Sequence, residues 1–337
     1  MHMTALEMSE WLMYRYVFHG NYKAEYHHDL PRVPVRTSDE LLCALEKFTR
    51  EAAQDGKAAL ALSGGIDSAI LARFMPKGST AYTFRCVVPG VKVTDESQRA
   101  RTYAEICGLK HKVIDIRWED VESVADVLMR HKKSPLHSIE TQIYIAACHV
   151  KSDGFSKFIF GETADIIYGG HSKLLSRDWT AGDFIDRHTY VMPYRVLRNP
   201  AMPLEEYLQF ERDGYIDAFE FLNKDHLLSS PGYYNNACDT AGVKFTAPYL
   251  RTYLADKLDI QRVRRGESKY IIREAFMKLY PGLDVPDKIP MPRPVNEWLK
   301  DWPGSSRPEF FPHCVDNMTG DQKWMIYCLE RYLNLTE

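Results

Sequence analysis

The 337-residue sequence predicts an α/β fold: an open parallel sheet of about five strands with flanking helices, followed by a mostly helical C-terminal part. Two observations lead to this prediction. Short apolar segments alternate with helix-length amphipathic segments through the first half of the chain, which is typical of βαβ units. The segment SGGIDS, Ser63–Ser68, also joins an apolar run directly to an amphipathic one, as a loop at the carboxyl end of a parallel strand does.

The predicted elements alternate from residue 39 to residue 161. They are a helix at 39–54, a strand at 57–62, a helix at 66–75, a strand at 79–88, a helix at 96–107 closed by Gly108, a strand at 111–116, helices around 119–131 and 139–151, and a strand at 156–161. From about residue 205 onward the sequence indicates helices without clear strands.

Composition excludes several functional classes. The net charge of −3 argues against a nucleic-acid partner, and no uninterrupted apolar run reaches the roughly 18 residues of a membrane span. The seven cysteines are scattered, with no C-x-x-C pair, which favours reduced thiols over disulfides or a zinc site. Without a recognisable signal peptide, these features predict a cytoplasmic protein.

The SGGIDS segment has the chemistry of a phosphate site. Gly64 and Gly65 allow a ligand to approach the backbone, and the start of the next helix offers free N–H groups. The hydroxyls of Ser63 and Ser68 add donors. Asp67 fits beside a phosphate only with a cation, and Mg²⁺ is the natural choice. The segment is neither a Walker loop nor a dinucleotide fingerprint. The alternative is an ordinary helix N-cap at Ser63.

A second motif, FGETADIIYGG at 160–170, follows the last predicted strand and should therefore lie in the same crevice. Its Asp165 is predicted to share a cation with Asp67, since a metal offsets the repulsion of two carboxylates. The alternative is that Asp165 caps the short helix that it begins. Glu162 is placed to act as a general base, or else to hold the loop backbone by a hydrogen bond.

These motifs, in this order, resemble the synthetase domain of the asparagine synthetase family, within the PP-loop ATP pyrophosphatases. The segments SKYIIREAF (268–276) and KIPMPRPVNEWL (288–299) extend the resemblance, which covers nearly the whole chain. Residues 1–38 resemble the segment that follows the glutaminase domain in full-length members, and residues 39–337 resemble the synthetase domain. The sequence shows no counterpart of the glutaminase domain itself.

The resemblance implies roles for individual residues. Glu162 would help to deprotonate the attacking amine. Lys269 would stabilise charge on the α-phosphate, although a lysine on a helix is more often simply solvated. Lys288, in the later loop, is a weaker candidate for a catalytic role. The metal would be held by Asp67 and Asp165. The residues expected to bind ATP are Leu62, Ser63, Gly64, Gly65, Asp67, Ser68, Cys86, Phe160 and Gly161, with Cys86 as a wall of the adenosine pocket and not as a nucleophile.

The implied function is an ATP-dependent, AMP-forming amide ligase with ATP and Mg²⁺ as cofactors. It would adenylate the carboxylate of a small molecule or natural product and transfer ammonia or another amine to it. A separate glutaminase is one source of ammonia, and a homodimer is one possible assembly. Ile166 occupies a position where the family has Glu. Asn235, Asn236 and Arg251 occupy positions where the family has other residues, which recognise the acceptor. These departures indicate an acceptor other than aspartate, or lost activity.

Three alternatives stay open at the level of sequence. The SGGIDS segment alone would suit an ammonia-using enzyme of the NAD-synthetase type. A PP-loop enzyme that modifies tRNA would need a basic face and paired catalytic cysteines. A catalytically degenerate ATP-binding subunit of a biosynthetic complex would explain the departures but not the retention of Asp67, Asp165, Glu162 and Lys269.

Overall fold

The computed structural model describes residues 3–20 and 31–337. Its strands are β1 (Val33–Val35), β2 (Ala58–Ala61), β3 (Thr80–Cys86), β4 (Lys110–Ile116), β5 (Lys157–Ile159), β6 (Trp179–Thr180), β7 (Glu211–Arg212), β8 (Tyr215–Ile216), β9 (Lys244–Thr246) and β10 (Thr252–Leu254). Its helices are α1 (Ala5–Tyr14), α2 (Ser38–Ala53), α3 (Ile66–Phe74), α4 (Ser97–Cys107), α5 (Trp118–Lys132), α6 (Glu140–Ser152), α7 (Ala164–Ile167), α8 (Ala181–His188), α9 (Glu205–Leu208), α10 (Ala218–Phe221), α11 (Leu227–Thr240), α12 (Ile260–Arg264), α13 (Tyr270–Leu279), α14 (Val295–Trp298) and α15 (Gly320–Thr336). Short 3-10 turns lie at Pro193–Arg195 and Pro248–Arg251, and one π-helical turn lies at Leu222–His226.

Five strands form one parallel sheet in the order β4-β3-β2-β5-β9. The predicted α/β fold with about five parallel strands is therefore confirmed. Each element predicted between residues 39 and 161 is present, with ends that differ by a few residues. Gly108 closes α4 in the left-handed conformation, at φ 66°, as a helix C-cap glycine commonly does.

The expectation of no clear strands after residue 205 is wrong. The fifth strand of the sheet is β9, and β7, β8 and β10 also lie in this part of the chain. β9 is an edge strand of three residues, Lys-Phe-Thr, too short to produce an alternating pattern that a sequence reader could recognise. β6, β8 and β7 form a small antiparallel sheet, and β1 pairs with β10 in parallel.

The sheet separates two apolar cores, which explains why β2 is apolar at every position. Ala59 and Ala61 pack into the core formed with α5, α6, α11 and α15, whereas Ala58 and Leu60 pack into the core formed with α2, α3, α4 and α13. Alternate side chains of a strand point to opposite faces, so a strand covered on both sides has no polar position. No helix of the described residues is both long and apolar enough to cross a membrane.

Helix α1 belongs to the first of these cores. Trp11 is completely buried, and its indole Nε1 donates a hydrogen bond to the carbonyl oxygen of Met325 in α15, at 3.0 Å. The proposed division of the chain between residues 38 and 39 stays a prediction. Residues 1, 2 and 21–30 of its first part lie outside the described residues.

We expect Trp11→Ala to lower the free energy of unfolding by about 3 to 5 kcal/mol, because it removes a large buried side chain and a buried hydrogen bond. Urea denaturation followed by circular dichroism would measure the change. Tyr194→Ala is the control, because that side chain is 52% exposed, and it should cost less than about 0.5 kcal/mol. Equal effects of the two substitutions would contradict a core role for α1.

Candidate active site

Two loops that carry predicted site residues follow neighbouring strands. The segment Ser63–Ser68 comes after β2, and the segment 160–165 comes after β5, which pairs in parallel with β2. The carboxyl ends of parallel strands meet at one edge of the sheet, so the two loops lie side by side. Residues of both loops line one cavity, together with Ser268, Lys269, Arg273 and residues of the late loop 286–292.

The segment Ser63–Ser68 is shaped by its own hydroxyls. The Oγ atoms of Ser63 and Ser68 are 2.9 Å apart, and the backbone N–H of Gly65 donates to Ser63 Oγ at 3.1 Å. Helix α3 begins at Ile66, and no side chain caps it. The alternative of Ser63 as an ordinary helix N-cap is therefore wrong, and the uncapped first turn retains the N–H groups that an anion can bind.

Four charged side chains that line the cavity form one ion cluster. Lys269 Nζ lies 2.7 Å from Asp67 Oδ1 and 3.1 Å from Asp165 Oδ1. Lys288 Nζ is also 3.1 Å from Asp165 Oδ1. No side chain caps the short helix α7, so Asp165 is free of the capping role considered above and instead joins this ion cluster. The two predicted metal ligands and the predicted catalytic lysine are thus in direct contact.

The pKa values of this cluster follow from the competition between burial and charge. Burial alone would lower the pKa of the Lys269 ammonium, but the charges of Asp67 and Asp165 outweigh it and raise that pKa. Burial acts to raise the pKa of Asp165, yet the ammonium groups of Lys269 and Lys288 hold it well below its usual range. Lys269 therefore carries its positive charge, and Asp165 its negative charge, at neutral pH.

The backbones of Gly161 and Gly170 lie so close to neighbouring groups that neither position has room for a side chain. A Cβ atom on Gly170 would lie 2.1 Å from Asp165 Oδ1 and 2.6 Å from Lys269 Cδ. A Cβ atom on Gly161 would lie 2.9 Å from the backbone nitrogen of Ser68. Any larger residue at either position would push the two loops or the ion cluster apart. Gly170 was missed as a site residue, although the paired glycines at the end of its motif are a signal for it.

Lys269 and Thr163 adopt left-handed backbone conformations, with φ of 55° and 72°. Such angles are unfavourable for residues other than glycine and are often found where a site imposes them. Lys269 is the residue immediately before α13, and this conformation accompanies its inward side chain, which is only 9% exposed. Lys269 is therefore a buried charge and not a solvated one.

Glu162 is held apart from the ion cluster. Its Oε1 accepts a hydrogen bond from Ser230 Oγ at 2.6 Å, and the phenol of Tyr234 also donates to the carboxylate. Burial raises the pKa of Glu162, and these two hydrogen bonds offset the rise only in part. Both partners come from α11, and no pattern in the sequence connected that helix with Glu162.

The cavity gathers most of the predicted residues, and their roles stay predictions. Those that line it are Leu62, Ser63, Gly65, Asp67, Ser68, Phe160, Gly161, Glu162, Asp165 and Lys269. Gly64 and Cys86 are not among the lining residues. The carbonyl oxygen of Gly64 accepts from Arg99 Nη1 at 3.2 Å, while Cys86 Sγ contacts the carbonyl oxygen of Pro292. Burial raises the pKa of the Cys86 thiol to about 12, as expected of a wall residue and not of a nucleophile.

The residues that depart from the family pattern are not among those that line the cavity. Ile166 is buried, at 3% exposure. Asn236 is also buried, and its Nδ2 donates to Glu140 Oε2 at 2.8 Å. The guanidinium of Arg251 pairs with Glu51 at 2.6 Å. Asn236 and Arg251 therefore satisfy internal partners and are not among the lining residues.

The cluster could hold a hard divalent cation. Asp165 Oδ1 is buried without a hydrogen-bond partner, although the ammonium groups of Lys269 and Lys288 each lie 3.1 Å from it. Among the described residues, no group of three or more His, Cys, Asp or Glu side chains could hold a metal ion by itself. Two carboxylates that leave the remaining positions to water and phosphate are the usual protein contribution to a Mg²⁺ site.

Comparison with known proteins finds one family and several weakly similar structures. Residues 44–305, well over half of the chain, match the family model described as asparagine synthase. No curated protein matches. An NH3-dependent NAD synthetase from Campylobacter jejuni is 16% identical, with 40% of this chain and 61% of that chain covered and a TM-score of 0.28.

Two further structures are similar to the same limited degree. The NMN synthetase from Francisella tularensis is 17% identical, with 69% of this chain and 95% of that chain covered and a TM-score of 0.29. The U34-tRNA thiolase from Methanococcus maripaludis is 12% identical, with 78% and 92% covered and a TM-score of 0.27. Similarities this weak assign no substrate or reaction to this chain.

We expect Lys269→Met to lower the free energy of unfolding by about 3 kcal/mol at neutral pH, because it leaves two carboxylates without their shared counterion. Adding Asp67→Asn should recover part of this loss by removing their repulsion. Urea denaturation of the single and double variants would measure both effects.

Lys278→Met is the matched control, because Lys278 lies in α13, the helix that Lys269 precedes, and pairs with Asp39 through side chains that are 45% and 77% exposed. It should cost less than about 1 kcal/mol. A double variant less stable than Lys269→Met would argue against repulsion between the carboxylates.

Proposed function

The chain belongs to the asparagine synthase family, and from that premise we propose that it is an ATP-dependent, AMP-forming amide ligase. The observation that carries this proposal is the Asp67–Lys269–Asp165 cluster, which lies in one cavity with the uncapped start of α3. A phosphate-binding helix start beside paired carboxylates and a charged lysine is an arrangement suited to a nucleotide triphosphate and its cation.

In the first step, a carboxylate oxygen of the acceptor attacks the α-phosphorus of ATP. The bond to the bridging oxygen breaks, and pyrophosphate leaves with the electron pair. Ser63, Ser68 and the N–H groups of the first turn of α3 would hold the departing phosphates. Lys269 would stabilise the negative charge that develops on the α-phosphate, because it is a fixed cation in a partly buried site.

Asp67 and Asp165 would hold Mg²⁺ together with phosphate oxygens. Bound there, the ion supplies charge neutralisation on the triphosphate and orients the leaving group. The buried Asp165 Oδ1 without a hydrogen bond supports this assignment, and so does the oxygen-only donor set, which matches the preference of Mg²⁺.

In the second step, an amine attacks the carbonyl carbon of the acyl-adenylate, AMP leaves, and the amine gives up a proton. Glu162 would accept that proton. Its carboxylate is oriented by Ser230 and Tyr234, and its raised pKa brings it closer to that of an effective general base at neutral pH. Ammonia, free or delivered by a separate glutaminase, or another amine would serve as nucleophile.

Two observations favour this proposal over the alternatives. A tRNA-modifying enzyme that transfers sulfur needs a reactive thiol, whereas burial raises the pKa of Cys86, the cysteine beside the cavity. A degenerate subunit would have no need of a lysine held in an unfavourable backbone conformation between two carboxylates. The intact ion cluster argues for retained chemistry.

The proposal predicts pyrophosphate release from Mg-ATP that depends on a carboxylic acid. We expect one class of acid in a panel to stimulate release, and Asp67→Asn to reduce it by about a hundredfold or more, because a negative charge next to the triphosphate is lost. An enzyme-coupled pyrophosphate assay would measure this. Asp39→Asn, at an exposed residue that does not line the cavity, is the control and should leave release unchanged. Pyrophosphate release that no acid stimulates, or that Asp67→Asn does not reduce, would contradict the proposal.

Glu162→Gln should separate the two steps. We expect ATP–pyrophosphate exchange to persist, because adenylation needs no base, while amide formation slows by about 10² to 10⁴. In the wild type, amide formation should fall as pH decreases through the raised pKa of Glu162, since the protonated carboxyl cannot accept the proton of the amine. This acid limb should disappear in Glu162→Gln. Equal loss of both activities would contradict a role confined to the amine step.

A further inference from the structure

One face of helix α11 holds the proposed base and extends to a histidine that the proposed reaction does not use. Ser230 and Tyr234 of this face hydrogen-bond to Glu162. His226 directly precedes α11, lies four residues before Ser230 and has helical backbone angles. Its ring packs edge-on against the ring of His171, with centroids 5.5 Å apart and planes at 81°. Residues four apart lie on one side of a helix, so His226, Ser230 and Tyr234 form one stripe.

His226 also contacts a second histidine. Its Nε2 lies 3.0 Å from Nε2 of His188, in α8, and Nδ1 of His188 lies 2.9 Å from the hydroxyl of Tyr207, in α9. Burial lowers the pKa of both imidazoles, that of His188 to about 3, so both rings are neutral at neutral pH. One Nε2 therefore donates a hydrogen bond to the other, and the remaining ring nitrogen of His188 pairs with Tyr207.

The backbone at this end of α11 is irregular, which gives the side-chain contacts more weight. The turn Leu222–His226 is π-helical, and Pro231 inside α11 has no N–H to donate to the carbonyl oxygen of Leu227. The regular series of backbone hydrogen bonds is therefore interrupted close to His226. Single π-helical turns are found frequently at functional sites.

The three histidines connect two parts of the fold and do not form a metal site. His188 is 5% exposed and stacks on Phe184, within the apolar cluster that also contains Tyr207. Its Nε2 and that of His226 are used by their mutual hydrogen bond. In the part of the chain that the structure describes, no group of three or more His, Cys, Asp or Glu side chains could hold a metal ion. The cluster thus fastens the stripe of α11 to α8 and α9.

We propose that His226 is a positioning residue for the amine step of the proposed reaction. Held between two other imidazoles, it fixes the face of α11 from which Ser230 and Tyr234 hydrogen-bond to Glu162. The inference rests on the proposed function for the role of Glu162, but the state of that carboxyl can be measured without turnover.

The test is titration of the Glu162 carboxyl in the full chain, followed by infrared difference spectroscopy. Glu162→Gln identifies the band, because that variant lacks it. Burial and the charge of Asp165 raise the pKa of Glu162, whereas the hydrogen bonds from Ser230 and Tyr234 lower it. His226→Leu removes the ring nitrogens and should weaken both hydrogen bonds. We expect it to raise the pKa of Glu162 by about one pH unit.

A background without the two donors distinguishes positioning from a general loss of structure. In a Ser230→Ala, Tyr234→Phe double variant, the pKa of Glu162 should already be raised. Adding His226→Leu should then change it by less than about 0.3 pH unit, because His226 acts through those donors. His226→Gln should keep the wild-type titration, since its side-chain amide can still hydrogen-bond to His188.

Phe210→Leu is the matched control, because Phe210 is buried in the same apolar cluster, at 2% exposure. It should lower the free energy of unfolding without moving the titration of Glu162. The inference would be overturned by an unchanged titration in His226→Leu, by an equal rise in the background without the two donors, by no recovery in His226→Gln, or by the same rise in Phe210→Leu.

Turnover gives a second measurement. His226→Leu should retain ATP–pyrophosphate exchange, while the acid limb of amide formation moves to higher pH by the same amount as the titration, because Glu162 then stays protonated to higher pH. The proposed function fails separately. If the titration shifts as expected and no acid stimulates pyrophosphate release, the positioning of Glu162 stands and the ligase activity does not.

Discussion

The ammonium of Lys269 between Asp67 and Asp165 is the interaction on which the rest of the site depends. It joins three parts of the chain: the start of α3, the short helix α7 and the residue that precedes α13. Two carboxylates this close would repel each other without a cation between them. The glycines at 161 and 170, and the left-handed backbone of Lys269, are the local adjustments that allow the three groups to meet.

Asp165 and Glu162 both line the cavity, but they lie in different electrostatic environments. Two ammonium groups lower the pKa of Asp165, whereas burial raises that of Glu162, which has only neutral hydrogen-bond donors as partners. Environments that separate the pKa values of neighbouring carboxyls also separate their functions. A permanently charged Asp165 suits a cation, and a Glu162 of raised pKa suits proton transfer.

The groups of the cavity are held by different parts of the fold. The loops Ser63–Ser68 and 160–165 lie at the carboxyl ends of β2 and β5, whose positions are fixed by the sheet. Ser230, which donates a hydrogen bond to Glu162, belongs to α11, a helix that packs beside the sheet without belonging to it. Substitutions in α11 can therefore change the surroundings of Glu162 while the two loops stay in place.

The sequence alone determined the parallel sheet, its order of helices and strands up to residue 161, and the residues of the two loops, because apolar periodicity and glycine-rich turns are local signals. It did not reveal β9, whose three residues are too few for a pattern. It also could not show that Ser230 and Tyr234 hold Glu162, that Gly170 makes room for Asp165, or that His226 contacts His188. Those contacts join residues far apart in the chain, and only tertiary packing decides which distant side chains meet.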